Sequence, residues 1–146
     1  MITGLPSPCH VASALCDAEA ERALGHLTGV AGMRAWCLGM TECVEHEPGL
    51  LRGRSLFDGS IGWVRVEIDA SRFSVDYWCG SSPALLSPRI HARAVPGPAL
   101  GYGAGQCLAT LLAWRPADMD DDRWRRLMLT HETEILLIRD QLARRA

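Results

Sequence analysis

Lysine is missing from this sequence, so all 15 basic residues are arginine; they are spread among 17 acidic ones, for a formal net charge of −2 and no block of one sign. Nucleic-acid binding needs clustered positive charge, so the pattern excludes a broad nucleic-acid footprint. Long hydrophobic runs are lacking too. No stretch approaches the roughly 18 apolar residues of a membrane span. MITGLPSPCHVASAL has neither the charged n-region nor the long h-region of an export signal, which makes the cytoplasm the expected location. There is no internal repeat, and no serine or cysteine sits in a nucleophile-elbow pattern.

Cysteine is present, at positions 9, 16, 37, 43, 79 and 107. A secreted chain could pair all of them, but without an export signal free and mostly buried thiols are expected. Cys37, Cys43 and His46 form C-x5-C-x2-H, with Cys9 and His10 as further donors. The spacing is too wide for a zinc knuckle, so neither metal nor cofactor is expected. GYGAG (Gly101 to Gly105) has the composition of a phosphate loop but precedes a strand, without the required strand-loop-helix setting. It reads instead as a flexible entrance loop.

With 48% hydrophobic and 22% charged residues over 146 positions, the chain reads as one domain with its own core. Residues 1–8 read as a loose end before a short strand over Cys9 to Leu15. Asp17 is placed to cap a helix over Ala18 to Leu27 that Gly29 stops, and a second short helix covers Ala31 to Trp36. Weakly alternating strands follow at Thr41 to His46 and Leu50 to Phe57.

The clearest hairpin is IGWVRVEI (Ile61 to Ile68), the link DASR and FSVDYWCG (Phe73 to Gly80). Pairing Ile68 with Phe73 sets Val66 opposite Val75 and Val64 opposite Tyr77 on an apolar face. The other face then pairs Arg65 with Asp76 and Trp63 with Trp78. Those tryptophans are either a local stack or a surface for a second copy of the chain or an accessory partner. Strands are also expected at Arg89 to Val95 and Gln106 to Arg115, the latter apolar on both faces and so either central in the sheet or covered on both faces.

The acidic run PADMDDD then caps a helix from Asp121 to Arg144. Along it Trp124, Leu127, Met128, His131, Ile135, Ile138 and Leu142 recur at spacings of three and four, one face of a helix with a histidine in its apolar stripe. A curved sheet wrapped around the stripe would bury it. The predicted fold is therefore α+β: a curved antiparallel sheet gripping a long C-terminal helix, with two short helices near the N-terminus.

In HLTGVAGMRAWCLGMTECVE, SLFDGSIGWVRVEIDASRFSVDYW and DDDRWRRLMLTHETEILLIRDQLARR, the sequence resembles the superfamily of polyketide cyclases, START domains and birch-pollen allergens, the SRPBCC or helix-grip proteins. The resemblance covers nearly the full chain and lies in element order and spacing. It implies a single helix-grip domain with a cavity for an apolar or aromatic molecule between the concave sheet and the last helix. Its members include carriers, aromatases and cyclases, and accessory subunits, so the fold alone does not choose a function.

In such a cavity His131 could move a proton alpha to a ketone, Tyr77 could donate to the carbonyl as enolate charge develops, and Arg115 could add a positive field. The competing readings are a core imidazole, a tyrosine that anchors packing, and an arginine paired with Asp118 or Asp120. Glu134 either orients the imidazole or lies on a solvated flank of the stripe. His91 is expected to face away. The expected walls are Trp36, Val66, Phe73, Val75, Tyr77, Trp124, Leu127, Met128, His131 and Ile135. The expected function is binding of a hydrophobic or aromatic metabolite, either with acid/base cyclisation or dehydration of a polyketide-like carbonyl compound, or as a non-catalytic carrier or sensor. An accessory role through a protein interface is the third reading.

Overall fold

The computed structural model describes residues 7–144. Its strands are β1 (Cys9–Cys16), β2 (Thr41–Glu47), β3 (Leu50–Arg54), β4 (Ile61–Asp69), β5 (Ser74–Gly80), β6 (Ser87–Pro96) and β7 (Cys107–Trp114). They form one seven-stranded antiparallel sheet in the order β1-β7-β6-β5-β4-β3-β2. Strands β2 to β7 are a meander, and β1 joins it beside the last strand. Helices α1 (Ala20–Thr28) and α2 (Val30–Trp36) carry the chain from one edge of the sheet to the other. The long α3 (Asp121–Ala143) returns across the concave face and packs chiefly on β1. This is the α+β helix-grip arrangement. Most of the expected loose end lies outside the described residues; Pro8, within them, accepts a 2.7 Å hydrogen bond from the Arg115 N–H.

Alternation along the strands decides which face meets the helices. On β7, Cys107, Ala109, Leu111 and Ala113 are buried. Leu108, Thr110 and Leu112 are only half-buried and Trp114 is exposed, so of the two alternatives the strand is interior to the sheet, between β1 and β6, and is not covered on both faces. Its outer apolar residues shelter one another laterally: Leu112 pairs with Val11, and Leu108 lies between Leu15 and Val95.

The first helix starts at Ala20, two residues later than expected, after an extended Glu19 that makes no side-chain cap. Asp17 instead accepts a hydrogen bond from Gln106 Nε2 at 3.1 Å, tying the end of β1 to the turn before β7. Gly29 ends α1 and starts α2 in extended rather than left-handed backbone. At Gly32 a Cβ would overlap the His26 carbonyl, so the two helices touch backbone to backbone there.

The β4–β5 hairpin differs from expectation by two residues in register. Ile68 pairs with Val75, Val66 with Tyr77 and Val64 with Cys79, while Arg65 faces Trp78 and Glu67 faces Asp76. The link uses Ala70–Arg72 as a 3-10 turn, fixed by the Asp69 carboxylate accepting from Ser71 N–H at 3.1 Å. Phe73 then adopts a left-handed φ of 53° outside the strand. A shift of two preserves the faces but changes every partner. Trp63 and Trp78 are therefore not a pair. Trp63 faces Gly80, meets His46 edge-on at 5.1 Å and lies under Arg52 at 5.9 Å. Asp76 pairs with His91, 2.9 Å away on the outer face, instead of with Arg65.

Candidate ligand cavity

The first half of α3 and the ends of β4, β5 and β6 do not close on each other. Between them lies a cavity of about 550 Å³, within the range of small-molecule sites. Met33, Trp36 and Met40 form its apolar side with Ile90, Leu111 and Leu127. Exposed Phe57, Asp58 and Ser60 from the β3–β4 connection and Arg123 and Arg126 from the start of α3 form its rim. The Arg126 guanidinium sits 5.3 Å over the Phe57 ring.

Two titratable groups on α3 line this space, His131 at 4% exposure and Glu134 at 3%. Glu134 Oε2 accepts the Leu38 N–H at 2.8 Å, so the carboxyl side chain holds the turn that follows α2. Burial raises the Glu134 pKa to about 8, which leaves the group a neutral acid at pH 7. Burial, with a smaller contribution from His10, lowers the His131 pKa to about 4, so the imidazole is also neutral. Their 3.8 Å separation is therefore that of a neutral acid beside a neutral imidazole, too long for a hydrogen bond, and not an ion pair. His131 Nδ1 is buried without a hydrogen-bond partner among the described residues. His10, on β1, has a buried Nε2 that makes no hydrogen bond among the described residues and lies 3.7 Å from Glu132 Oε1.

Tyr77 lines the cavity with its ring, 2% exposed and edge-on to Trp36 at 6.3 Å. Its hydroxyl donates to the Leu27 carbonyl at 2.6 Å, and burial holds it protonated. The donor is thus committed to fastening β5 to the end of α1. Arg115 does not line the cavity. Its Nη2 binds the Met119 carbonyl at 2.8 Å and Asp121 at 2.7 Å, pinning the loop that leads into α3. Neither acid expected to pair with it does so, and Asp120 instead caps α3 through the Arg123 N–H at 2.7 Å.

Of the expected walls, Trp36, Tyr77, Leu127 and His131 line the cavity. Val66, Phe73 and Val75 lie toward the other end of the hairpin and pack on the main core, as does Ile135. Trp124 is fully buried with Ala113 and Met119, and Met128 packs against that small cluster. Trp63 lines the cavity, whereas Trp78 lies away from it beside Arg65, Glu67 and Pro83. The glycine-rich loop sits between β6 and β7, at the end of β6 remote from the cavity, and none of its residues lines the opening. Cys37, Cys43 and His46 do not converge; no three metal-ligating side chains do so among the described residues.

The sequence reading missed Arg89, Cys37 and Cys79, all of which line the cavity. For Arg89 the signal was Pro88. Proline inside a strand marks an edge or a bulge, and the β5–β6 register slips there, between the pairs Tyr77/Ile90 and Trp78/Pro88.

No family model matches the sequence, and no curated protein matches it. Solved structures do. The Aha1 dimer from Colwellia psychrerythraea is 14% identical with a TM-score of 0.69, over 92% of this chain and 96% of that one. A START superfamily protein from Mycobacterium smegmatis is 13% identical with a TM-score of 0.69, over 92% and 96%. The Zhui aromatase/cyclase from Streptomyces is 16% identical with a TM-score of 0.64, over 94% of each. At these identities the shared property is the fold, the helix-grip arrangement that this chain has in common with those structures.

Proposed function

We propose that this protein binds a hydrophobic or aromatic metabolite in the cavity between α3 and the sheet, and turns the carbonyl or hydroxyl of that ligand toward Glu134 and His131. The observation that carries the reading is the presence of two titratable groups, each at least nine-tenths buried, in one 550 Å³ cavity with an apolar side. A few polar groups in an apolar pocket fix how a ligand lies within it. The Glu134 carboxylic acid can donate to a ligand carbonyl, and the unpartnered His131 Nδ1 can accept from a hydroxyl or donate, according to its tautomer.

The same pair supports acid/base chemistry. A neutral carboxylic acid protonates a carbonyl oxygen while a neutral imidazole takes a proton from the adjacent carbon, the elementary step of enolisation, aldol cyclisation and dehydration. In this scheme Glu134 has the donor role that the sequence suggested for Tyr77. The fold likeness to an aromatase/cyclase is compatible with it. The low basicity of His131 supports a second reading, a carrier or sensor in which the two groups only orient the ligand.

The test is native mass spectrometry of protein purified from its own host, with extraction and identification of what it retains. A conjugated or carbonyl-bearing metabolite is expected. Glu134→Gln and His131→Gln should then abolish product formation from that compound with binding retained if the protein is an enzyme, and weaken binding alone if it is a carrier. Protein that retains nothing and shows no cavity shifts in NMR titrations with aromatic carbonyl compounds would sink the proposal.

A further inference from the structure

Arg89 differs from the other charged residues of its strand. On β6, His91 points outward to Asp76 and Arg93 is exposed. Regular alternation would send Arg89 outward with them. The slip in the β5–β6 ladder leaves Arg89 without a strand partner, and it lines the cavity together with its neighbour Ile90. Its charge reaches the Cys79 thiol, which lies on the helix side of β5.

Nothing in the described protein answers that charge. Arg89 Nε is buried and has no hydrogen-bond partner among the described residues. The acids that line the cavity are Glu134 and Asp58. Glu134 is neutral at pH 7, and Asp58 stands at the rim, held by Ser60 and near Arg126. Arg89, Arg123 and Arg126 thus face one ionised carboxylate. The guanidinium is half-buried, with its Nε shut off from water, and its planar fork fits a carboxylate through two parallel N–H bonds.

We infer that the ligand carries a carboxylate at one end, received by Arg89 on the sheet wall, while the rest of the molecule lies along the apolar side toward Glu134 and His131 on the helix wall. The inference rests on the cavity reading above and narrows it from hydrophobic metabolites in general to hydrophobic acids. The two exposed rim arginines favour entry of such an anion, an effect that salt weakens.

A matched pair of probes tests this: naphthalene-2-carboxylate and naphthalene-2-carboxamide, titrated at pH 7 and followed by fluorescence and by the backbone amide shifts of Tyr77, Ile90 and Leu127. The acid is expected to bind the wild type about tenfold more tightly than the amide, the scale of one charge-assisted contact. In Arg89→Gln the preference should vanish while the amide binds as before, and Arg89→Lys should keep part of it. Arg93→Gln, at an exposed position on the same strand and outside the cavity, should leave the preference intact. Equal binding of both probes by the wild type, or an unchanged preference in Arg89→Gln, would overturn the inference and leave the cavity reading standing. Failure of both probes to move the cavity amides would overturn both. If Arg89→Gln does not fold, the wild-type comparison and Arg89→Lys still decide.

Discussion

The two ends of the helix-facing side of this sheet are built to opposite effect. At one end β6 and β7 present Ala92, Ala94, Cys107 and Ala109, all fully buried, and α1 comes down on them with Ala20, Ala23 and Leu27, while Ile138 and Leu142 of α3 complete the same core. At the other end the sheet presents Tyr77, Cys79, Arg89 and Ile90, the facing half of α3 presents Leu127, Thr130, His131 and Glu134, and space remains between them. The same strand and the same helix run through both. Small strand residues let a second layer of helix settle into contact, whereas at the end where the side chains are larger and polar α2 and α3 line a space without filling it. The cavity is thus a space the helices border without filling, with Glu134 and His131 neutral on its helix wall and the Arg89 guanidinium on its sheet wall.

Truncation should separate the ends most sharply. Ile138→Ala, in the closed core, should cost about 2–5 kcal/mol in urea unfolding. Leu127→Ala, beside existing space, should cost roughly 1 kcal/mol or less because little packing is lost. Equal costs would mean that the cavity end is packed as tightly as the core.

Tyr77 joins the two ends, and its hydroxyl tests which it serves. Tyr77→Phe leaves the Leu27 carbonyl without its buried donor, so a loss of about 1–3 kcal/mol is expected with ligand affinity unchanged. Unchanged stability with collapsed binding or turnover would return the hydroxyl to the cavity.

The neutral pair predicts an unusual pH profile. Glu134 has a folded pKa of about 8 against 4.5 for the free group, so it binds protons more readily folded than unfolded, and stability declines as pH rises through that interval. His131, at about 4 against 6.5, acts in the opposite sense: stability is lost as pH falls from 6.5 toward 4. The two slopes offset each other between pH 4.5 and 6.5, leaving a plateau there. From pH 6.5 to 8 only the Glu134 slope remains, on the order of 1 kcal/mol per pH unit. Urea midpoints measured across this range should show the plateau and the decline, and Glu134→Gln should flatten the decline. A profile identical in both proteins would mean that Glu134 is ionised in the native state at neutral pH.

The smallest effect concerns Arg115, whose partner Asp121 is largely exposed. Arg115→Gln should lower stability by about 1 kcal/mol or less and leave probe binding untouched. A large loss of binding would restore it as a cavity residue.

Which parts of this arrangement were legible in the sequence follows from the range of the interactions involved. The long helix, the two short ones and every strand leave a local period of 3.6 or 2 residues, and their order suffices for the fold. The hairpin register was out of reach because it depends on how the chain spends four link residues, and a left-handed Phe73 is not a conformation that its residue type advertises. Glu134 looks like a solvated helix flank until the turn at Leu38, 96 residues away, crosses over it. His131 was visible as an anomaly in an apolar stripe, but its unpartnered nitrogen was not. Arg89 reads as an ordinary outward strand residue unless Pro88 is taken as the mark of a bulge.

The position of β1 has a consequence for how the molecule is made. Strands β2 to β7 can zip up as successive hairpins while the chain leaves the ribosome, each closing a short loop. The first strand has a single strand neighbour, β7, and it carries most of the packing surface of α3. It must therefore wait, unpaired, until β7 and α3 have been translated, and only then can the sheet edge, the grip on the helix and the wall behind His131 form together. Such late, long-range closure is slow relative to hairpin formation. The cavity is thus expected to be the last part of the protein to exist.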